Sequence, residues 1–179
     1  MRTRILTPLV AGALLALIPV STVGAATSAA SVSPRTWSTA SRTVTRNPFP
    51  APEVTQIRVG HHATYDRIVI QLNGPRAPGY VVKYVKTLRT DPADKVVNLL
   101  GPVNLQIVVK PANGHDIDTG RSTLTTPSRV KWRLAEVKET AVIGDFEAVF
   151  TVGVGLAART PFRVLTLHHP TRIVVDVRH

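Results

Sequence analysis

Every second residue is apolar in the segment of residues 67–72, which carries the clearest pattern in the chain. Ile68, Ile70 and Leu72 fall on one side of an extended backbone, and the intervening residues, beginning with Arg67, fall on the other. Successive side chains point to opposite faces of a strand, so a period of two indicates a strand with one buried face. We therefore predict a half-buried strand here.

The same period recurs in further segments that are separated by Gly, Pro, Asn and Asp. These segments are residues 54–59, 80–85, 96–99, 103–109, 130–134, 146–156, 162–167 and 172–177. No stretch has a convincing helical period. Short strands at this spacing predict an all-β fold, namely a small antiparallel β-sandwich of about eight or nine short strands. Residues 111–127 have no sustained period, and their length predicts a loop that is either functional or mobile.

The start of the chain has the features of an export signal. A basic start with Arg2 and Arg4 precedes residues 5–20, which are almost wholly apolar, and small residues follow up to Ala26. This order is typical of a cleaved signal peptide. The alternative is an uncleaved anchor, but the apolar run is short for a span of about 20 residues. We predict a signal peptide over residues 1–25, secretion, and no membrane span after cleavage.

The composition changes after the signal peptide. Residues 26–52 are rich in Ser, Thr, Ala and Pro, with scattered Arg and no acidic residue. Such a segment buries too little apolar surface to offset the entropy of ordering it. We therefore predict a disordered, flexible linker over residues 26–52 and a folded domain over residues 53–179.

The charge and the cysteine content limit the classes of site that the chain can form. The chain has 22 Lys and Arg, 11 Asp and Glu, and no Cys. Without cysteine there is no disulfide framework, thiol nucleophile or cysteine zinc site. The excess of basic residues persists within the predicted domain, and it suggests either an anionic partner or a basic domain that has none.

Four polar residues lie together where the segment of residues 60–72 enters its strand, and we take them as a candidate ligand-binding site. They are His62, Tyr65, Asp66 and Arg67. Tyrosine offers a flat face to a sugar ring, aspartate accepts hydrogen bonds from hydroxyls, and arginine can clamp a carboxylate. The alternative is structural: Asp66 closes the turn, while Arg67 pairs with a carboxylate such as Asp176 on another strand.

Five blocks of sequence, in order, resemble the AMIN-like domain family. The blocks are GHHATYDRIVIQL, PGYVVKYV, GDFEAVFTVGVGL, TPFRVL and PTRIVVDVRH. The resemblance covers residues 53–179 and departs from the family pattern at Ile70, where an aromatic residue is expected, and at Ala148, where glycine is expected. It implies a small β-sandwich in a secreted protein of the cell envelope. Some of the related AMIN domains bind peptidoglycan.

Other site classes lack a diagnostic pattern. Adjacent residues of a strand point to opposite faces, so the pair at His61 and the pair at His168 can each offer one ligand to a metal, and we predict no metal site and no cofactor. No nucleophile, phosphate-loop or metalloprotease motif is present, which argues against an enzyme. No basic run interleaves with outward aromatic residues, which argues against nucleic acid as a partner.

Two functions remain after these exclusions. The first is a secreted, non-catalytic module that is associated with the cell wall and recognises a cell-wall polymer, peptidoglycan. The second is a protein-interaction module that docks on an envelope enzyme or secretion partner, for instance by strand addition at a sheet edge. A hydrolase with a dispersed site is a weaker third alternative. The sequence predicts no particular oligomeric state.

Overall fold

A computed structural model describes residues 36–179, and every regular element in that range is a β-strand. No helix among these residues has the length and apolar character needed to cross a membrane. The predicted signal peptide and residues 26–35 of the predicted linker lie outside the described residues. The strands are β1 (Arg42–Val44), β2 (Val54–His62), β3 (Tyr65–Leu72), β4 (Gly79–Val85), β5 (Leu88–Arg89), β6 (Val96–Val97), β7 (Val103–Lys110), β8 (Arg129–Lys131), β9 (Val137–Phe146), β10 (Val149–Leu156), β11 (Phe162–Leu167) and β12 (Thr171–Arg178).

Two antiparallel sheets form the architecture. One has six strands in the order β1-β4-β7-β10-β9-β8, and the other has four in the order β11-β12-β3-β2. A short hairpin of β5 and β6 accompanies them. The predicted all-β, sandwich-like class is confirmed, with twelve strands instead of eight or nine.

The core contains the inward residues of both sheets, as the period of two predicts. Ile68, Ile70 and Leu72 of β3 belong to one buried cluster with Ile107 of β7 and Val154 of β10. Burying a side chain of this size stabilises the folded state by roughly 1.5–3 kcal/mol. The alternation in β3 therefore determines which of its side chains remain available on the outer face.

The hairpin of β9 and β10 was not predicted. The pattern suggested one strand over residues 146–156, but the chain reverses at Glu147 and Ala148, which have φ values of 49° and 56°. Two-residue turns of this kind usually carry Asn-Gly or Asp-Gly, so no turn signal marked the reversal. In β9 itself the buried Glu139 and Thr140 interrupt the expected apolar alternation.

Residues 36–52 form part of the folded domain, contrary to the predicted flexible linker. Arg42 of β1 pairs with Val82 of β4. Ser38 exchanges two backbone hydrogen bonds of 3.0 Å with Phe162 of β11. This segment thus joins an edge of each sheet. The bonds of Ser38 and β1 to the sheets are backbone bonds, which composition does not reveal, and the side chain of Arg46 adds a 3.3 Å hydrogen bond to Pro78 O. Together these bonds offset part of the ordering entropy of the segment.

The predicted long loop of residues 111–127 is tied to the sheets at several points. Thr125 N donates to Thr55 O at 2.9 Å, so the loop covers the first half of β2. On the six-stranded sheet, the carboxylate of Asp145 accepts a 2.8 Å bond from Gly114 N and lies 2.8 Å from His115 Nδ1. The rest of the β2 edge lies beyond the reach of these bonds.

Candidate functional site

The outer face of the four-stranded sheet carries three of the four predicted site residues. Because Asp66 and Ile68 point into the sandwich, Tyr65 and Arg67 of β3 point away from it. In the antiparallel register, Tyr65 lies opposite His62 of β2 on one side and Arg178 of β12 on the other. The three residues therefore form a row across the sheet.

A second row contains a carboxylate shared by two arginines. Asp176 of β12 lies between Arg67 of β3 and Arg163 of β11. Arg67 donates from Nε to Oδ1 at 2.7 Å and from Nη2 to Oδ2 at 3.0 Å, and Arg163 Nε donates to Oδ2 at 2.8 Å. Asp176 is 0% exposed although it lies on the outer face, because these side chains cover it.

The pairing of Arg67 with Asp176 is the alternative that the sequence left open. The hydrogen bond from Arg67 to this carboxylate raises the guanidinium pKa above its ordinary value, although burial acts against the rise. Two guanidinium groups share a single carboxylate, so this row keeps an excess positive charge. Arg67 is consequently a structural residue and a component of a cationic surface at once.

Aromatic rings alternate with the guanidinium groups on this face. His62 stacks on Tyr65 with ring centroids 4.5 Å apart, and Trp37 lies 6.0 Å from Tyr65. Arg163 lies 4.5 Å above the Trp37 ring and 5.2 Å above the Tyr65 ring. Arg178 lies 5.7 Å above the Trp37 ring.

We name this array the cation–aromatic surface. It consists of Trp37, His62, Tyr65, Arg67, Arg163 and Arg178, with Asp176 beneath them. Stacking between guanidinium groups and rings holds both as flat, pre-ordered surfaces. Such an array can contact the apolar face of a ring-shaped ligand while its N–H groups bind carboxylate or phosphate oxygens.

Three of the six residues of the cation–aromatic surface are not predictable as site residues from the local sequence. Trp37 comes from the segment predicted to be a linker, and Arg163 and Arg178 come from the last hairpin of the chain. The alternation in β11 and β12 was a usable signal, because it places both arginines on the polar side of their strands. Their proximity to Tyr65, however, depends on the pairing of β3 with β12, which local sequence does not specify.

Asp66 is not on this surface. It points into the sandwich and is 0% exposed. Its Oδ2 accepts hydrogen bonds from Glu136 N at 2.6 Å and Val137 N at 2.9 Å, which tie β3 to the start of β9. Burial acts to raise the pKa of Asp66, but these bonds and the one from His61 outweigh it and lower the pKa below its ordinary value.

Two histidines surround the other oxygen of Asp66. His61 Nδ1 lies 2.9 Å from Asp66 Oδ1, and His179 Nε2 lies 3.7 Å from the same oxygen. The two imidazole rings are parallel, with centroids 5.1 Å apart. Because adjacent side chains of a strand point to opposite faces, His61 points inward and His62 points outward. Of these two histidines, His61 alone therefore reaches Asp66. The distant His179 joins it through the pairing of β12 with β3.

Glu136 is a second buried acid beside Asp66. It is 3% exposed, and its Oε1 accepts a 2.8 Å hydrogen bond from Ala158 N. Burial raises the pKa of Glu136 above its ordinary value, and the charge of Asp66 adds to the rise, whereas the bond from Ala158 acts against it. The neighbouring carboxyl groups thus have pKa values displaced in opposite directions.

Comparison with known proteins identifies the family. A family model of the AMIN-like domain matches residues 52–179, a range that contains β2 to β12 and all of the cation–aromatic surface except Trp37. Searches of curated proteins and of solved structures return no match. The resemblance read from the five sequence blocks is therefore confirmed, and the chain belongs to the AMIN-like domain family.

Proposed function

We propose that this chain is a non-catalytic cell-envelope module that binds peptidoglycan through the cation–aromatic surface. Membership of the AMIN-like family supports a role in the envelope. The observation that carries the proposal is the outer face itself, where Trp37 and Tyr65 lie among Arg67, Arg163 and Arg178. A secreted protein associated with the cell wall would meet this ligand directly.

The chemistry of the ligand matches the chemistry of this face. Peptidoglycan combines sugar rings, whose C–H faces stack on aromatic rings, with the carboxylates of its stem peptides. Trp37 and Tyr65 supply the flat faces. Arg178 is exposed and its guanidinium forms no hydrogen bond with other residues in the range 36–179, so it is free to bind a carboxylate. Arg163 keeps its terminal nitrogens for the same purpose, since Nε alone contacts Asp176.

The predicted site residues take different roles in this proposal. His62 and Tyr65 contact the ligand from the same row of the sheet. Arg67 holds the face in place, because two of its nitrogens already bind Asp176. Asp66 does not touch the ligand, since it is buried on the opposite side of β3. Its contribution is to fix the hairpin that presents Tyr65.

Co-sedimentation of the purified chain with insoluble peptidoglycan tests the proposal. We expect binding that persists at about 0.1 M salt, where charges separated by more than about 10 Å are largely screened. Tyr65→Ala and Arg178→Gln should each weaken binding about tenfold, the equivalent of roughly 1.4 kcal/mol. Lys83→Gln is the control, because it removes the same charge from an exposed position on the six-stranded sheet.

Two results would count against this function. If binding disappears at moderate salt, the chain adheres through its net charge alone. If Lys83→Gln weakens binding as much as Arg178→Gln does, the charge matters but its position does not. Circular dichroism of Tyr65→Ala separates lost binding from lost folding.

A second function has separate support in the edge of the four-stranded sheet. β2 is a terminal strand. The segment around Thr125 covers its first half, where Ile57 N also donates to Thr126 Oγ1 at 3.0 Å. Among the described residues, the second half of β2 pairs with β3 alone, so its outer edge can accept a strand from another protein. A photocrosslinker at position 58, used in intact cells, should capture an envelope protein if this function is correct.

A further inference from the structure

In the cluster of Asp66, His61 and His179, the buried carboxylate has no arginine or lysine partner among the described residues. Asp66 is fully buried, and its ion-pair partners among the described residues are the two histidines alone. The buried Asp176 has two arginines, and the buried Glu139 has Arg129 at 2.8 Å. A buried carboxylate without a permanent cation attracts one strongly.

Asp66 is held in the orientation that a cation requires. The backbone N–H groups of Glu136 and Val137 both bind Oδ2, which fixes the carboxylate and leaves Oδ1 directed at the histidines. Bonds of this kind orient the carboxylate ligands of metal sites. The orientation of Asp66 therefore does not depend on an occupant.

The two histidines present one ring nitrogen each to the same space. His61 Nδ1, Asp66 Oδ1 and His179 Nε2 all lie within 4.8 Å of one another. Ligand atoms about 2.0–2.2 Å from a tetrahedral Zn²⁺ lie about 3.3–3.6 Å apart. Small rotations of the two rings would therefore bring these three atoms to coordinating distance of one ion. The side chain of His61 is 52% exposed, so solvent borders its ring. His179 Nε2 also lies 3.2 Å from His62 O, a hydrogen bond that a metal would replace.

We propose that His61, Asp66 and His179 form a binding site for a divalent transition-metal ion of the Zn²⁺ class. Two imidazole nitrogens and one carboxylate oxygen suit Zn²⁺ and related ions, whereas Ca²⁺ and Mg²⁺ prefer all-oxygen shells. Three protein ligands leave a fourth position for water, as in open zinc sites. The site bridges β2, β3 and the residue that follows β12, and it lies on the opposite side of β3 from the cation–aromatic surface.

Titration of the purified, untagged and chelator-treated chain with Zn²⁺ tests this site. We expect one ion bound per chain by calorimetry, and a Co²⁺ substitute with the absorption of a tetrahedral site. His61→Ala and His179→Ala should each weaken Zn²⁺ binding at least about tenfold. Removing a residue that only supports a metal ligand already lowers metal affinity about 10–100-fold. His168→Ala and His169→Ala are matched controls, since each removes an exposed histidine outside the cluster and should leave affinity unchanged.

The Zn²⁺ titrations can establish or overturn the proposed metal site. Loss of the single binding event in both cluster variants and not in the controls would establish the site. Absence of stoichiometric binding, or equal losses in the cluster variants and the controls, would overturn it and show histidine binding at the surface only. Circular dichroism spectra of the metal-free variants confirm that each one is folded.

Discussion

At the scale of single residues, the buried acids differ in what compensates their charge. Asp176 has two arginines, whereas Asp66 has backbone N–H groups and histidines. Glu136 accepts one backbone hydrogen bond in a buried environment. As a result, the pKa of Asp66 is lowered and the pKa of Glu136 is raised. The contributions of these two neighbouring acids to stability should therefore change with pH in opposite directions.

The ionised form of Asp66 should stabilise the fold. Because folding lowers the pKa of Asp66, its stabilisation is present above the unfolded value of about 3.9 and is lost as pH falls through the folded value. Asp66→Asn should cost about 1–3 kcal/mol at pH 7, the usual cost of impaired buried hydrogen bonds. Urea unfolding from pH 7 down to pH 3 should show this cost shrinking in acid.

Glu136 should behave in the opposite way. Folding raises its pKa, so the protonated form is favoured, and the ionised form lowers stability as pH rises above the unfolded value of about 4.3. Glu136→Gln retains an oxygen for Ala158 N and should raise the free energy of unfolding at pH 7. The gain should vanish below pH 4. A loss of stability at pH 7 would contradict this account of Glu136.

The turn between β9 and β10 offers a test of backbone strain. Ala148 has a φ of 56°, in the left-handed region that favours glycine, which is also the residue expected from the family pattern. Ala148→Gly should raise the free energy of unfolding by about 1 kcal/mol, because the left-handed conformation costs a residue with a Cβ about 1–2 kcal/mol. Ala63→Gly is the control. Ala63 lies in the β2–β3 turn and does not have a positive φ, so glycine there should give no gain.

At the scale of elements, β1 shows how a polar segment becomes part of a sheet. Its strand partner β4 begins at Gly79, where the absence of a side chain lets the two backbones approach closely. A Cβ added at Gly79 would lie 2.6 Å from Val44 O and 2.9 Å from Arg46 N. The position of β1, and with it that of Trp37, therefore depends in part on a glycine in another strand.

Gly79→Ala should release β1 from the sheet. The added methyl group overlaps backbone atoms, which cannot move aside as the end of a side chain can. Trypsin cleavage at Arg42 and Arg46 should accelerate roughly 5- to 30-fold, as expected for one or two kcal/mol of lost local stability. Gly60→Ala is the matched control, because a Cβ at Gly60 meets nothing within 4 Å. Equal cleavage rates in the two variants would show that Gly79 does not hold β1 in place.

Strands were predictable from the sequence where apolar and polar residues alternate because one face is buried. Strands that are held by buried polar contacts or by backbone hydrogen bonds were missed. β3 and β12 have clear apolar sides, and both were predicted. β9 buries Glu139 because Arg129 and the N–H of Leu100 bind its carboxylate, so its pattern did not resemble that of a strand. β1 is held largely by backbone hydrogen bonds, which leave no mark in composition. Of the candidate site, Tyr65 and Arg67 were predictable, whereas their partners from β11, β12 and the Trp37 segment depended on long-range pairing.

At the scale of the whole molecule, the alternation of side chains along the strands places the Asp66 cluster and the cation–aromatic surface on opposite faces of one sheet. His61 and His179 point to the inner cluster around Asp66, while their chain neighbours His62 and Arg178 point to the cation–aromatic surface. The cation–aromatic surface carries three arginines over a single buried acid. This local excess adds to the net charge of +11 for the full sequence, which attracts polyanions at long range. Specific binding must therefore be separated from this general attraction.

Fluorescence of Trp37 tests the central claim most directly. The chain has two tryptophans, so Trp132→Phe leaves Trp37 as the reporter within the proposed surface. Titration of this variant with soluble muropeptides at about 0.1 M salt, where long-range attraction is screened, should give a saturable change in Trp37 emission. Adding Arg178→Gln should weaken that change about tenfold, while adding Lys83→Gln should not. An unchanged Trp37 signal at saturating muropeptide would contradict peptidoglycan recognition by the cation–aromatic surface.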